Sequence, residues 1–136
     1  MRQPVIFDLF HTLVHGADGA RDRVVGEMAR VVGVDPAATL DVLDALRADG
    51  HPLALVSNAT SDTAEAWPDG PLARRFDVAV FSCEVGLAKP DPAIYRAAAD
   101  RLGADPAGCV FVGDGADGEL AGAADAYPNP VAGARP

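Results

Sequence analysis

The stretch Val5-Ile6-Phe7-Asp8-Leu9-Phe10-His11-Thr12-Leu13 decides the fold. A dense apolar run ends in the carboxylate of Asp8, and Thr12 follows four residues later. Apolar residues at this density, bounded by turn chemistry, are the pattern of a strand buried on both faces of a parallel sheet. As the first strand it is expected to lie centrally, with Asp8 at its carboxyl end. In open α/β sheets ligands bind outside that end. The rest of the chain supplies company for the carboxylate: Ser57-Asn58 after a second apolar run, Lys89 on a loop, and Gly113-Asp114-Gly115 after a fourth run.

Outward from this strand, apolar periodicity and stop signals alternate. Val24, Val25, Met28, Val31 and Val32 form the stripe of a helix over 22–32. Asp35-Pro36 is an N-cap and first-turn pair opening a helix that Asp49-Gly50 ends. Leu53-Ala54-Leu55-Val56 is a second strand, followed by a short helix over 61–67. Val78-Ala79-Val80-Phe81 is a third strand. Asp91-Pro92 opens a further helix stopped by Gly103, with Ile94, Ala98 and Leu102 as its buried stripe and Tyr95 beside it. Cys109-Val110-Phe111-Val112 is a fourth strand, and a last helix covers 117–126. The Pro-rich end, 127–136, is expected to be an irregular tail. The alternation gives the fold class: α/β, a doubly wound parallel sheet of about four strands with right-handed crossovers.

Length and charge set bounds on function. A chain of 136 residues is read as a single domain, 1–136, large enough to bury roughly two-thirds of its unfolded surface. A formal net charge of −9 argues against nucleic acid and against an anionic membrane surface as partners. Any phosphate site must then be built locally, from backbone N–H groups, a cation or two, or a metal. Cys83 and Cys109 do not make a disulfide framework, and both are expected in strands as reduced, buried residues. Met1-Arg2-Gln3-Pro4 leads directly into the first strand without a signal-peptide pattern, and no apolar run approaches a membrane span. A cytoplasmic protein acting on a small-molecule substrate is expected.

Each candidate residue carries two readings. Asp8 is a nucleophile or metal ligand, or it caps the turn. Thr12 holds an anionic substrate group, or it satisfies the loop backbone. Ser57 and Asn58 make an anion seat from a hydroxyl and backbone N–H groups, or an ordinary N-cap. Lys89 is the one lysine among eleven basic residues. It supplies a compact point charge over the strand ends, where it would neutralise Asp8 and a bound anion, or it is a solvated surface residue. Asp114 and Glu119 flank Gly115-Ala116-Asp117-Gly118. They suit a hard, oxygen-seeking cation such as Mg²⁺, or the segment is a plain tight turn.

Together these residues resemble the haloacid dehalogenase-like (HAD) hydrolase superfamily. Phe7-Asp8-Leu9-Phe10-His11-Thr12-Leu13 matches its first motif and Val56-Ser57-Asn58 its second. Gly86-Leu87-Ala88-Lys89-Pro90-Asp91-Pro92-Ala93-Ile94-Tyr95 matches the third, and the run from Val112 through Asp114 and Glu119 to Ala123 the fourth. The resemblance implies roles. Asp8 is the nucleophile that forms a covalent aspartyl intermediate, and Lys89 with Ser57 holds and neutralises the transferring group. Mg²⁺ is held by Asp8, the backbone carbonyl of Phe10, Asp114 and Glu119. Thr12, Ser57 and Asn58 line the substrate.

Three departures qualify the resemblance. Phosphatases of the superfamily carry a second aspartate two residues after the nucleophile, where this chain has Phe10. Phenylalanine moves no proton, and general acid–base help is worth about 10²–10⁴-fold. An aromatic there is closer to the dehalogenase branch, whose halide leaves unprotonated. Asp114, however, is a metal-site residue, and those dehalogenases use no metal. His11, in place of the usual glycine, is either a surrogate acid or a turn residue. Most of the helical cap expected between the first two motifs is missing, with 14–34 as its remnant. The valine stripe must then pack on the sheet, meet a second copy as a homodimer, or stay exposed. The last departure is the carboxyl end, which stops short of the family's further strand. Two alternatives accompany the hydrolase: an inactive HAD-fold protein that binds Mg²⁺ or phosphate, and, more remotely, a receiver-like signalling domain. The receiver reading needs an acceptor on a middle strand and an acidic pair after the first, which this chain lacks.

Overall fold

The computed structural model describes residues 2–9, 36–70, 72–113, 118–127 and 131–132. Phe10, His11, Thr12, Asp114 and the expected cap remnant 14–34 lie outside the described residues. Five parallel strands make one sheet in the order β3-β2-β1-β4-β5: β1 Val5–Phe7, β2 Leu53–Ser57, β3 Val78–Phe81, β4 Val110–Gly113 and β5 Val131–Ala132. The first strand is therefore central, hydrogen-bonded to β2 on one side and β4 on the other. This is the 3-2-1-4-5 part of the 3-2-1-4-5-6 order found in dinucleotide-binding folds. Receiver domains use a 2-1-3-4-5 order, so the strand order sets that alternative aside. The four strands read from the sequence are all present. The correction is at the end of the chain, where β5 pairs Val112 with Val131 and Gly113 with Ala132 inside a stretch expected to be irregular. Two residues are too few to show a period in sequence.

Helices cover both faces. α1 (Pro36–Ala48) packs Leu43 against Val5, Phe7, Leu53 and Leu55. α2 (Ser61–Ala66) runs into a 3₁₀ turn, Trp67–Asp69, and a second such turn spans Ala73–Arg75. Trp67, Phe76, Phe81 and Phe7 form an aromatic cluster on that face, with centroid separations of 5.6–6.1 Å. On the other face, α4 (Pro92–Leu102) and α5 (Glu119–Ala126) pack Ile94, Tyr95, Ala98, Ala99 and Ala123 against Ile6, Ala54, Val56, Val80 and Phe111. Strand alternation assigns these sets: side chains two apart share a face. Even-numbered residues of β1 and β2 face α4 and α5, odd-numbered ones face α1.

α4 starts and stops as its sequence demands. Asp91 accepts a hydrogen bond from Ala93 N at 3.0 Å, Pro92 occupies the first turn, and Gly103 closes the helix at φ 69°. One expectation fails locally. Cys83 lies not in a strand but, exposed, in the single-turn helix α3 (Ser82–Val85), which Gly86 ends at φ 72°. Cys109 is buried as expected, one residue ahead of β4. No helix among the described residues is long and apolar enough to cross a membrane.

Candidate active site

The order of the strands creates the site. Chain connections diverge between β1 and β4, and the crevice outside the carboxyl ends of these strands is where such sheets bind ligands. Asp8 stands there. Its N–H donates to Val112 O at 3.0 Å, which carries the sheet ladder one residue past β1 and fixes where the carboxylate emerges. By alternation Asp8 points with Ile6 towards α4 and α5.

Lys89 meets it from the loop between α3 and α4. Its Nζ lies 2.5 Å from Asp8 Oδ1 and 2.8 Å from Glu119 Oε1, an ammonium held between two carboxylates. All three are buried: Asp8 is 6% exposed, Lys89 8% and Glu119 2%. Such exposure takes the pairs out of the class of surface salt bridges, whose worth is small. The Lys89 ammonium also sits 5.8 Å from the centre of the Phe111 ring, within cation–π range.

Each partner is positioned by its own element. Glu119 is the first residue of α5, and its carbonyl accepts a hydrogen bond from the Tyr95 hydroxyl at 2.9 Å. Tyr95 O in turn accepts from the Tyr127 hydroxyl. Burial, then the carboxylates of Glu119 and Asp8, push the Tyr95 phenol well above its ordinary pKa; burial does the same first for Tyr127. α5 approaches the Lys89 loop closely because Gly122 has no side chain: a Cβ there would overlap Pro90 O and lie 2.7 Å from Pro90 Cβ. Gly113 has the same function at the end of β4, where a Cβ would come within 2.9 Å of Glu119 Cδ.

The remaining expected site residues divide. Ser57 ends β2 and is fully buried, on the parity facing away from Lys89. Its hydroxyl lies 3.5 Å from Asn58 O, at the limit of a hydrogen bond. Asn58 has the parity of Asp8, and its side chain reaches the backbone of Lys89: Nδ2 donates to Lys89 O at 3.1 Å, and Oδ1 accepts from Lys89 N at 2.8 Å. The structure thus brings Asp8, Lys89, Glu119 and Asn58 together. Sequence reasoning missed the parts played by Tyr95, Phe111 and Gly122. The alternation that puts Phe111 under Lys89 was available in the sequence; the reach of Tyr95 to Glu119 was not.

Among the described residues, no three His, Cys, Asp or Glu side chains gather so as to hold a metal ion. Asp8 and Glu119 offer hard oxygens, but each turns one towards the Lys89 ammonium. The described residues alone therefore do not make an Mg²⁺ site. The other expected donors, Asp114 and the Phe10 carbonyl, lie outside them. What this geometry offers chemically is a buried carboxylate at a sheet mouth, with a fixed positive charge at hydrogen-bond distance.

Known proteins resemble the chain in sequence and in fold. The haloacid dehalogenase-like hydrolase family profile matches residues 23–126. The bifunctional riboflavin kinase/FMN phosphatase of Arabidopsis thaliana is 39% identical over 86 residues, 58% of this chain and 21% of its own. (S)-2-haloacid dehalogenase 4A of Burkholderia cepacia is 31% identical over 99 residues, 72% of this chain and 42% of its own. The chain thus spans less than half the length of these curated relatives. Among solved structures, a HAD-superfamily hydrolase from Ehrlichia chaffeensis superposes with a TM-score of 0.71 at 18% identity, covering 99% of this chain and 93% of that one. That likeness is one of fold, and the profile match over most of the sequence adds the kinship: the chain belongs to the haloacid dehalogenase-like hydrolase family.

Proposed function

We propose that the protein hydrolyses a small phosphorylated or halogenated organic acid, with Asp8 as the nucleophile. The observation that carries this reading is the buried contact of the Asp8 carboxylate with Lys89 Nζ at 2.5 Å, at the carboxyl end of the central strand. A carboxylate oxygen of Asp8 attacks phosphorus, or the carbon bearing the halogen. The bond to the alcohol oxygen or halide breaks, and the leaving group takes the electron pair. Water then releases the product from the aspartyl ester or acyl-phosphate and restores the carboxylate. Lys89 offsets the negative charge of Asp8 and of the incoming group. Thr12 and the backbone N–H groups around Ser57 at the strand ends hold that group in this reading. Mg²⁺, held by Asp8, Asp114, Glu119 and the Phe10 carbonyl, would supply further charge neutralisation when bound.

The relatives named above bear a phosphatase and a dehalogenase name, and the two chemistries differ in the proton their leaving groups need. An alkoxide must be protonated and a halide need not be. Phe10 cannot provide that proton, which favours the halide, or an activated phosphoester, over an alkyl phosphate. The same residue is the observation favouring the second reading, an inactive relative that binds Mg²⁺ or phosphate. The free thiols of Cys83 and Cys109 fit a reducing, cytoplasmic setting. A homodimer through 14–34 remains part of the proposal on the strength of the valine stripe.

The test is a panel of p-nitrophenyl phosphate, alkyl phosphates and 2-chloropropionate, each with and without Mg²⁺. Turnover by the wild type and its loss in Asp8→Asn are expected. Folded wild-type protein with no turnover, or an Asp8→Asn variant as active as wild type, would sink the proposal. Calorimetric binding of Mg²⁺ or phosphate without turnover would select the inactive relative.

A further inference from the structure

We propose that Asn58 is a positioning residue that sets the reach of Lys89, rather than a contact for substrate. The inference rests on the reading of Asp8 and Lys89 as catalytic partners. Asn58 follows β2 directly, on the parity that faces α4 and α5. Its amide group satisfies both backbone polar groups of Lys89, accepting from N at 2.8 Å and donating to O at 3.1 Å. The two residues are 31 apart in sequence, so the clamp ties the Lys89 loop to the rigid end of a central strand.

The chemistry selects asparagine. A backbone N–H only donates and a carbonyl only accepts, so a side chain closing both bonds must carry one donor and one acceptor in a single plane. The same partners fix which end of the amide is oxygen. Aspartate has the shape and lacks the donor. Alanine lacks both groups.

The clamp acts on one end of a flexible side chain. Lysine places its ammonium through a four-carbon stem, and a shift at Cα moves the charge off its target. Here the far end is held between Asp8 and Glu119, and the near end by Asn58. With both ends fixed, the ammonium stays at Asp8 without reorganisation when substrate enters, which is the condition under which a charge contributes most to a transition state. Both ends of the Asn58 amide are engaged by the Lys89 backbone, so it acts through Lys89.

The chain allows a direct test because Lys89 is its only lysine. The rate at which trinitrobenzenesulfonate modifies Lys89, followed by peptide mass, reports escape of the ammonium from its carboxylates. Cys109, 1% exposed, reports global opening in the same sample through a thiol reagent. In Asn58→Ala and Asn58→Asp, Lys89 modification is expected to rise roughly ten-fold while Cys109 stays protected. On the substrate that the wild type turns over, kcat is expected to fall with KM within about two-fold. Unchanged Lys89 protection, or Lys89 and Cys109 opening in step, overturns the proposal. So does a rise in KM alone with Lys89 still protected, which would make Asn58 a substrate contact. If the wild type turns nothing over, the catalytic reading fails by itself, and the labelling rates still decide the clamp.

Discussion

Lys89→Met removes the ammonium and keeps a stem of similar length. The backbone bonds to Asn58 do not depend on the side chain, so the loop retains its anchor. What changes is electrostatic. Two carboxylates, 6% and 2% exposed, lose the positive charge that stood 2.5 and 2.8 Å from them. Removing one partner from a buried ion pair destabilises by about 3–5 kcal/mol, because the desolvation cost of the remaining charge is no longer offset. A domain of this size is stable by about 5–15 kcal/mol in all, so the loss is a large share of the total. With a urea m-value of about 1–3 kcal/mol/M, the midpoint should fall by roughly 1–5 M at unchanged m. Replacing the three charges together, in Asp8→Asn/Lys89→Met/Glu119→Gln, should recover most of the loss, since the cost lies in the unbalanced charge. The assay is equilibrium urea denaturation of all three proteins. A loss below about 1 kcal/mol in the single variant would mean that the pair behaves as an exposed one. A triple variant no more stable than the single one would refute the charge-balance argument.

Three more outcomes are expected. Tyr95 and Tyr127 are the only tyrosines, both are buried, and both phenols are pushed upward, first by burial. Groups with a raised folded pKa lend stability that is complete below their unfolded value, about 10, and lost as pH climbs above it; tyrosinate absorbance should therefore appear only with unfolding, and titration near pH 10 with native circular dichroism would contradict this. Gly122→Ala should cost about 1–3 kcal/mol by calorimetry, because its Cβ would overlap Pro90. Gly108→Ala, with open space around the added carbon, should be near neutral beside it. Phe10→Asp should raise turnover of alkyl phosphates by about 10²-fold or more if the missing proton is what limits them, and leave 2-chloropropionate without gain.

Most of the sheet was legible in the sequence because its signals are local. Val5 to Phe7, Leu53 to Val56 and Val78 to Phe81 are apolar runs with turn residues on both sides, and all became strands. Asp91-Pro92 and Gly103 mark the ends of α4 by their own chemistry. Local signals fail where an element is too short to have a period: α3, misread around Cys83, is four residues, and β5 is two. The pairing of Lys89 with Asp8 could be anticipated because both stand at the same end of a sheet. The other half of the triad could not. Glu119 was read by its neighbours as a metal ligand, and only packing, through Tyr95, Gly113 and Gly122, shows its carboxylate on the same ammonium. The role of Asn58 was hidden for a similar reason, since a side chain bonding to a distant backbone leaves no pattern in residue types.

The central place of β1 has a consequence for how the molecule comes into being. Synthesis delivers this strand before both of its sheet neighbours, β2 at residue 53 and β4 at residue 110. Asp8 then waits for a lysine 81 positions away and for a glutamate beyond β4. Contacts this distant in the chain are slow to form, since loop closure must precede their reward. Until β4 has emerged, this apolar segment lacks one of its two pairing edges, and an unpaired apolar edge is the feature that exposes a folding chain to aggregation.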